Sequence, residues 1–153
     1  MRTKYPVFIA FILALTPGLA SALEYRSVAV PKAVLYDAPS AQGKKLFVIG
    51  QGYPLEVIVN LDAWLKVRDI RGSLSWIEAK QLVAKRTVLV TFNRAEIRQA
   101  ADASSPLLGR VEKDVVLDLL EPPSFDAAGK SWVKIKHLDD LTGYVLSSSV
   151  WGY

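Results

Sequence analysis

The sequence predicts an all-β protein: two tandem small β-barrels following an N-terminal signal helix. Three observations carry this expectation. The chain repeats itself, with Trp64-Leu65-Lys66-Val67-Arg68-Asp69-Ile70 returning as Trp132-Val133-Lys134-Ile135-Lys136-His137-Leu138. Each copy reads as short segments of alternating apolar and polar residues, the period of strands whose side chains point to opposite faces. Outside the first 22 residues no stretch sustains a helical period.

The first segment reads as an export signal. Arg2 and Lys4 precede the apolar run Val7–Leu15, Thr16-Pro17-Gly18 breaks the helix, and Ala20-Ser21-Ala22 places small residues where signal peptidase cuts. The run falls well short of the roughly 20 apolar residues of a spanning helix. Cleavage after Ala22 leaves 131 residues and lowers the formal charge from +4 to +2, because the segment holds two basic residues and no acid. An exported, nearly neutral chain is expected to be periplasmic or secreted, with no broad cationic face for nucleic acid. Its only membrane contact is through the signal segment before cleavage.

The repeat sets the division of the remainder, with one barrel over residues 23–85 and the other over 86–153. From Trp64 to Ile77 the offset is 68, and of 14 aligned positions two are identical and six are close substitutions. Ser75-Trp76-Ile77 thereby meets Gly143-Tyr144-Val145. Upstream the offset is 62, with Leu55-Glu56-Val57 against Leu117-Asp118-Leu119 and Ala33 against Ala95. The difference of six residues predicts an insertion at Glu121–Lys130, rich in turn residues, in place of the tight Asn60–Ala63 turn.

In the first copy Leu55, Val57 and Val59 alternate with Glu56 and Ile58, which predicts a core-facing set. Leu65 and Val67 point one way, and Trp64, Lys66 and Arg68 the other. Arg71-Gly72-Ser73 makes the hairpin into the strand of Trp76. Lys85–Phe92 has neither Gly nor Pro and reads as a strand, so the two units are expected to abut with limited relative motion. Each unit of about 60 residues is marginal alone. Closing the sheet would remove exposed edges.

The residues Gln51–Ile58, then Asp62-Ala63-Trp64-Leu65-Lys66-Val67-Arg68-Asp69, then Gly72–Ile77 and Arg86–Val90 resemble the bacterial SH3-like (SH3b) domains. Both copies follow the pattern, so the fold expected is two tandem SH3-like small β-barrels. There are departures: Tyr36 stands where that family usually has Arg, and Ala101 stands where the first copy has Pro39. The resemblance implies an exported cell-envelope binding module, some relatives of which recognise peptidoglycan peptides. Ala33-Val34-Leu35-Tyr36-Asp37 also echoes eukaryotic SH3 domains. The rest of a proline-peptide groove is missing, with Glu78 and Gln81 where its late Pro and Tyr belong.

The candidate ligand-binding residues are Trp64, Lys66, Arg68 and their copies Trp132, Lys134, Lys136, together with Tyr36 and Tyr53. A cation beside an aromatic plate suits the carboxylates of a cell-wall peptide or an anionic glycan. The same stripe also reads as a structural cover for a small barrel. Trp76 and Tyr144 are expected to be mainly packed. Catalysis is not expected. The chain has no Cys and one His, His137; Ser147-Ser148-Ser149 has no Gly-x-Ser-x-Gly or Ser-x-x-Lys context; and Glu121 and Asp126 lie in a Pro-rich segment. No cofactor and no metal site are expected. The function expected is a non-catalytic binding module for peptidoglycan or its peptides, the alternative being a protein–protein adaptor or structural accessory in the periplasm. The partner is accordingly a cell-wall peptide or glycan, or an envelope protein.

Overall fold

The computed structural model describes residues 23–153, so the export segment read at residues 1–22 lies outside the described residues. Fourteen strands run through them: β1 (Glu24–Val28), β2 (Lys32–Tyr36), β3 (Lys45–Gly50), β4 (Pro54–Leu61), β5 (Trp64–Arg68), β6 (Leu74–Glu78), β7 (Leu82–Val83), β8 (Thr87–Val90), β9 (Ala95–Arg98), β10 (Leu107–Val111), β11 (Val116–Phe125), β12 (Ser131–Lys136), β13 (Thr142–Leu146) and β14 (Val150–Trp151). Short 3-10 turns at Ala79–Gln81, Leu138–Asp140 and Ser147–Ser149 are the helical elements among the described residues. No helix among them is long and apolar enough to cross a membrane.

The strands form two antiparallel seven-stranded sheets of identical order, β3-β2-β6-β5-β4-β1-β7 and β10-β9-β13-β12-β11-β8-β14. Each rolls around its own apolar cluster, to which all seven of its strands contribute. Val28, Ala33, Leu35, Leu55, Leu65, Val67, Ile77 and Leu82 fill the first, with Ile49 of β3 against them. Val88, Ala95, Ile97, Val111, Leu117, Val133, Ile135, Val145 and Val150 belong to the second. Period-2 alternation explains the membership: Leu65 and Val67 are buried on β5, as Val133 and Ile135 are on β12. The expectation that closure removes every edge needs correction. Each hydrogen-bonded ladder ends, at β3 and β7 in one sheet and at β10 and β14 in the other. The apolar cluster, rather than a continuous ladder, draws the ends together.

Two local expectations are also corrected. On β4 the register shifts between Val57 and Val59, so Val59 pairs with Lys66 of the outer face and is 39% exposed. A bulge of this kind flips the phase of every residue beyond it. Glu56 does face away from the core, yet it is only 6% exposed, lying in register between Tyr25 and Arg68. In the second sheet the inserted residues are strand rather than loop. β11 continues through Pro122 and Pro123 to Phe125, and register shifts at Leu119/Glu121 and Glu121/Ser124 absorb the extra residues. Only Asp126–Lys130 turns, with Asp126 N–H donating to the Lys130 carbonyl at 2.9 Å.

The two sheets meet directly. Thr87, which opens β8, donates its hydroxyl to the Gly52 carbonyl at 2.6 Å, and Tyr25 packs edge-on against Trp151 at 5.4 Å. Gly152 passes this seam at φ +110°, where a Cβ would stand 2.8 Å from Pro54 Cβ. Only glycine fits both that backbone angle and that approach.

Candidate functional site

The alternation that buries Leu65 and Val67 turns Trp64, Lys66 and Arg68 to the outer face of the first sheet. β6 lies alongside with Trp64 opposite Glu78, Lys66 opposite Trp76 and Arg68 opposite Leu74. Tyr36 of β2 is paired with Trp76 from the other side. Tyr36, Trp76 and Lys66 therefore form one row across three strands. Directly opposed side chains on one face are within contact range, and Lys66 Nζ stands 5.8 Å from the Trp76 ring centroid. Trp64 meets Tyr36 edge-to-face at 5.5 Å. Arg68 is committed elsewhere, donating from Nη1 to both oxygens of Glu56 at 3.2 and 3.4 Å. Lys66 forms no ion pair among the described residues.

The second sheet reproduces the row. Lys134 lies opposite Tyr144, and Tyr144 opposite Arg98. Lys134 Nζ stands 5.9 Å from the Tyr144 ring. Here the cations are partnered: Lys134 donates to Glu121 at 2.6 Å and Lys136 pairs with Asp140. These carboxylates hold both ammonium groups above the ordinary lysine range.

Arg98 replaces the Tyr36 ring, and the space changes accordingly. Arg98 donates to the Ser105 carbonyl at 2.7 Å and to Glu96 at 2.5 Å, and Arg110 donates to the other oxygen of Glu96 at 3.1 Å. Those two hydrogen bonds hold the Glu96 carboxyl below the usual carboxylate range. With no ring against Trp132, a cavity of about 330 Å³ remains, walled by Trp132, Arg98, Leu146, Phe92, Arg94 and Glu96.

The expectation of two equivalent outward indoles is corrected at Trp132. Trp64 is half-buried, whereas Trp132 is 2% exposed. Its Nε1 donates to Asp126 Oδ2 at 2.9 Å, and Asp126 also accepts the backbone N–H groups of Ala128 and Lys130. The indole hydrogen bond, with the backbone donors behind it, holds the Asp126 carboxyl below its ordinary range. The six-residue insertion thus supplies the cover that the first copy lacks.

Of the two tyrosines, Tyr36 is buried within the outer-face row and Tyr53 lies apart from it. Tyr53 sits half-buried in the β3–β4 turn, packs against the first cluster and lines a different cleft of about 460 Å³ between the sheets. Burial raises its phenol pKa. The structure therefore gathers Tyr36, Trp64 and Lys66 on one face and Trp132, Lys134 and Lys136 on the other, with Arg68 turned to Glu56. Sequence reasoning left three contributors out of the site: Trp76, Tyr144 and Arg98. The first two carried a signal, since their offset of 68 matches that of the lysines they lie beneath. Chemically, each row offers a π face and a cation, the elements of carboxylate or ring recognition.

None of the curated proteins compared with this chain matches it in sequence. Among solved structures, NlpC2 from Trichomonas vaginalis is similar over 85% of this chain and 48% of its own, with 16% identity and a TM-score of 0.37. NlpC1 from Trichomonas vaginalis is similar over 95% of this chain and 51% of its own, with 15% identity and a TM-score of 0.37. The chain spans about half the length of each. Residues 29–83, from just after β1 through β7, match the family described as Bacterial SH3 domain.

Proposed function

We propose that the chain is an exported, non-catalytic binding module of two SH3-like barrels, residues 23–85 and 86–153, that recognises peptidoglycan or its peptides in the cell envelope. The observation carrying this reading is the cation set over an aromatic ring at the same register of both sheets, Lys66 on Trp76 and Lys134 on Tyr144. The family match over residues 29–83 and the export signature support it. The ligand meets the rows from outside: its carboxylates face the lysines, and its apolar or ring parts lie on Trp76, Trp64 and Tyr144. Two weak sites on one chain gain avidity on a polymer if their spacing matches its repeat.

Sedimentation with purified sacculi tests the proposal, comparing the wild type with Lys66→Glu plus Lys134→Glu. Both lysines lie outside the apolar clusters, but Lys134→Glu would face Glu121, so circular dichroism first establishes that the double variant is folded. Loss of retention is the expected result. Equal retention by both proteins, or none by the wild type, overturns the reading.

A second reading, a periplasmic protein–protein adaptor, draws on β3. This edge strand pairs only with β2 and exposes Phe47 and Val48 on its two faces. Cross-linking in cells that captures a protein in place of glycan fragments would favour it.

A further inference from the structure

Arg86, in the link between the sheets, is an arginine whose charge is unanswered. Its guanidinium lies over the Tyr25 ring at 5.3 Å and donates from Nη2 to the Gly152 carbonyl at 3.2 Å. Its Nε is enclosed and has no hydrogen-bond partner. The acids of the adjacent β11 are already taken, Asp118 by Lys85 at 2.8 Å and Glu121 by Lys134 at 2.6 Å. Arg86 forms no ion pair among the described residues. A half-buried guanidinium with most of its five donors unmet is an anion site by its chemistry.

The surroundings narrow the anion. Arg86 lines a groove of about 430 Å³ whose walls are mainly apolar, formed by Leu23, Leu119, Leu120, Pro122, Pro123 and Tyr153, with Glu121, held by Lys134, as its one acid among the described residues. β8 pairs with β11 only over Val116–Asp118, and the Leu119 N–H closes that ladder on the Arg86 carbonyl at 3.1 Å. From Leu120 to Phe125 the same edge of β11 has no strand beside it. Backbone groups of successive strand residues alternate between the two edges, so one of Pro122 and Pro123 brings a carbonyl to this edge with no N–H beside it. The stretch is therefore richer in acceptors than in donors, and an occupant has to supply N–H groups as well as a carboxylate. An alkyl carboxylate supplies none.

Direction follows from the sheet. β8 runs antiparallel to β11, with Thr87 facing Asp118 and Leu89 facing Val116. A segment laid antiparallel along Leu120–Phe125 travels towards Arg86 and arrives there with its carboxyl end. We infer that this groove binds the free carboxyl terminus of an apolar peptide, with Arg86 holding the terminal carboxylate. The groove touches the second outer-face row through Glu121, the partner of Lys134, but the inference does not rest on ligand binding at that row.

The test uses acetyl-Ala-Ala-Leu with a free carboxylate, the same peptide as its C-terminal amide, and decanoate. Each is titrated into the purified protein by calorimetry and by backbone amide NMR. The free acid binds and shifts the amides of Arg86, Leu120 and Tyr153, while the C-terminal amide binds at least about tenfold more weakly, as the loss of one charge-assisted contact requires. Leu120→Glu, at an exposed position, sets a competing carboxylate in the groove and weakens the acid by about the same factor. Arg86→Gln does likewise. The acid–amide comparison and Leu120→Glu keep the test decisive even if Arg86→Gln, which loses the contact with Gly152, fails to fold. The inference is overturned if the acid does not bind, if its shifts map elsewhere, if the amide or decanoate binds as tightly, or if folded Leu120→Glu binds like the wild type.

Discussion

Ser27 and Thr87 meet hydroxyl to hydroxyl at 2.6 Å, both buried, one from β1 of the first sheet and the other from β8 of the second. Ser27 Oγ also lies 2.7 Å from the Lys85 carbonyl, and Thr87 Oγ1 2.6 Å from that of Gly52. Two hydroxyl hydrogens serve three short contacts, so at any moment one contact lacks a hydrogen of its own. The pair, with both side chains buried, pins the interdomain link to both sheets.

Thr87→Val keeps the shape and removes the shared donor. It removes the hydrogen bond to Gly52 O, at a cost of about 0.5–1.5 kcal/mol. Urea unfolding of Thr87→Val, Ser27→Ala and the double variant should give a non-additive cycle, because the second change finds the network already broken.

Gly143 tests the packing of the second sheet. A Cβ there would lie 2.5 Å from Ile97 Cγ2 and 2.7 Å from the Arg98 carbonyl. Gly143→Ala should cost about 1–3 kcal/mol in denaturant unfolding, by forcing side chain and backbone apart. The matching position of the first sheet already holds Ser75, buried in the sheet that contains Leu35 rather than Ile97. Ser75→Gly should therefore cost less, about 0.5–1 kcal/mol, the ordinary penalty for glycine in a strand.

Asp126 makes the cover on Trp132 sensitive to acid. Its folded pKa lies below the ordinary value, first through the Trp132 hydrogen bond and then through the Lys130 backbone donor. A depressed carboxyl contributes stability in full above its unfolded pKa, about 3.9, and loses it as pH falls from there through the folded value. Trp132 fluorescence followed below about pH 4 should show this loss in the wild type. Asp126→Asn should remove the Asp126-linked part of the pH dependence.

Trp76 measures the aromatic half of the outer face. Trp76→Ala removes the ring beneath Lys66 and should weaken sacculus binding about two- to fivefold, the range of an exposed cation–π contact. Binding that uses the lysines should also fall as salt is raised, since exposed charges are screened. A variant that binds like the wild type at every salt concentration would remove Trp76 from the site.

Much of this was legible in the chain. Trp64-Leu65-Lys66-Val67-Arg68 and Trp132-Val133-Lys134-Ile135-Lys136 declare both a duplication and a face, because side-chain direction in a strand follows from position alone. Where the reading failed, a register had shifted. Val59 left the core side at a bulge, and Glu121–Phe125 became strand because successive register shifts let β12 pair with the extra residues. Local composition marks Pro122-Pro123 as a break and carries no information about the partner strand that overrules it.

By itself the sequence determined the repeat, the strands around Leu65-Val67 and Val133-Ile135 and the side of the sheet on which each lysine stands, all consequences of local alternation. Only the tertiary structure decided what covers each of those residues. Trp132 is closed by Asp126 while Trp64 leans on Tyr36; a cavity opens beside Arg98; Arg86 lines a groove in which the carboxylate of Glu121 is already held by Lys134. The physical reason is that direction belongs to a residue's own backbone, whereas burial and charge balance belong to whatever distant segment is laid against it.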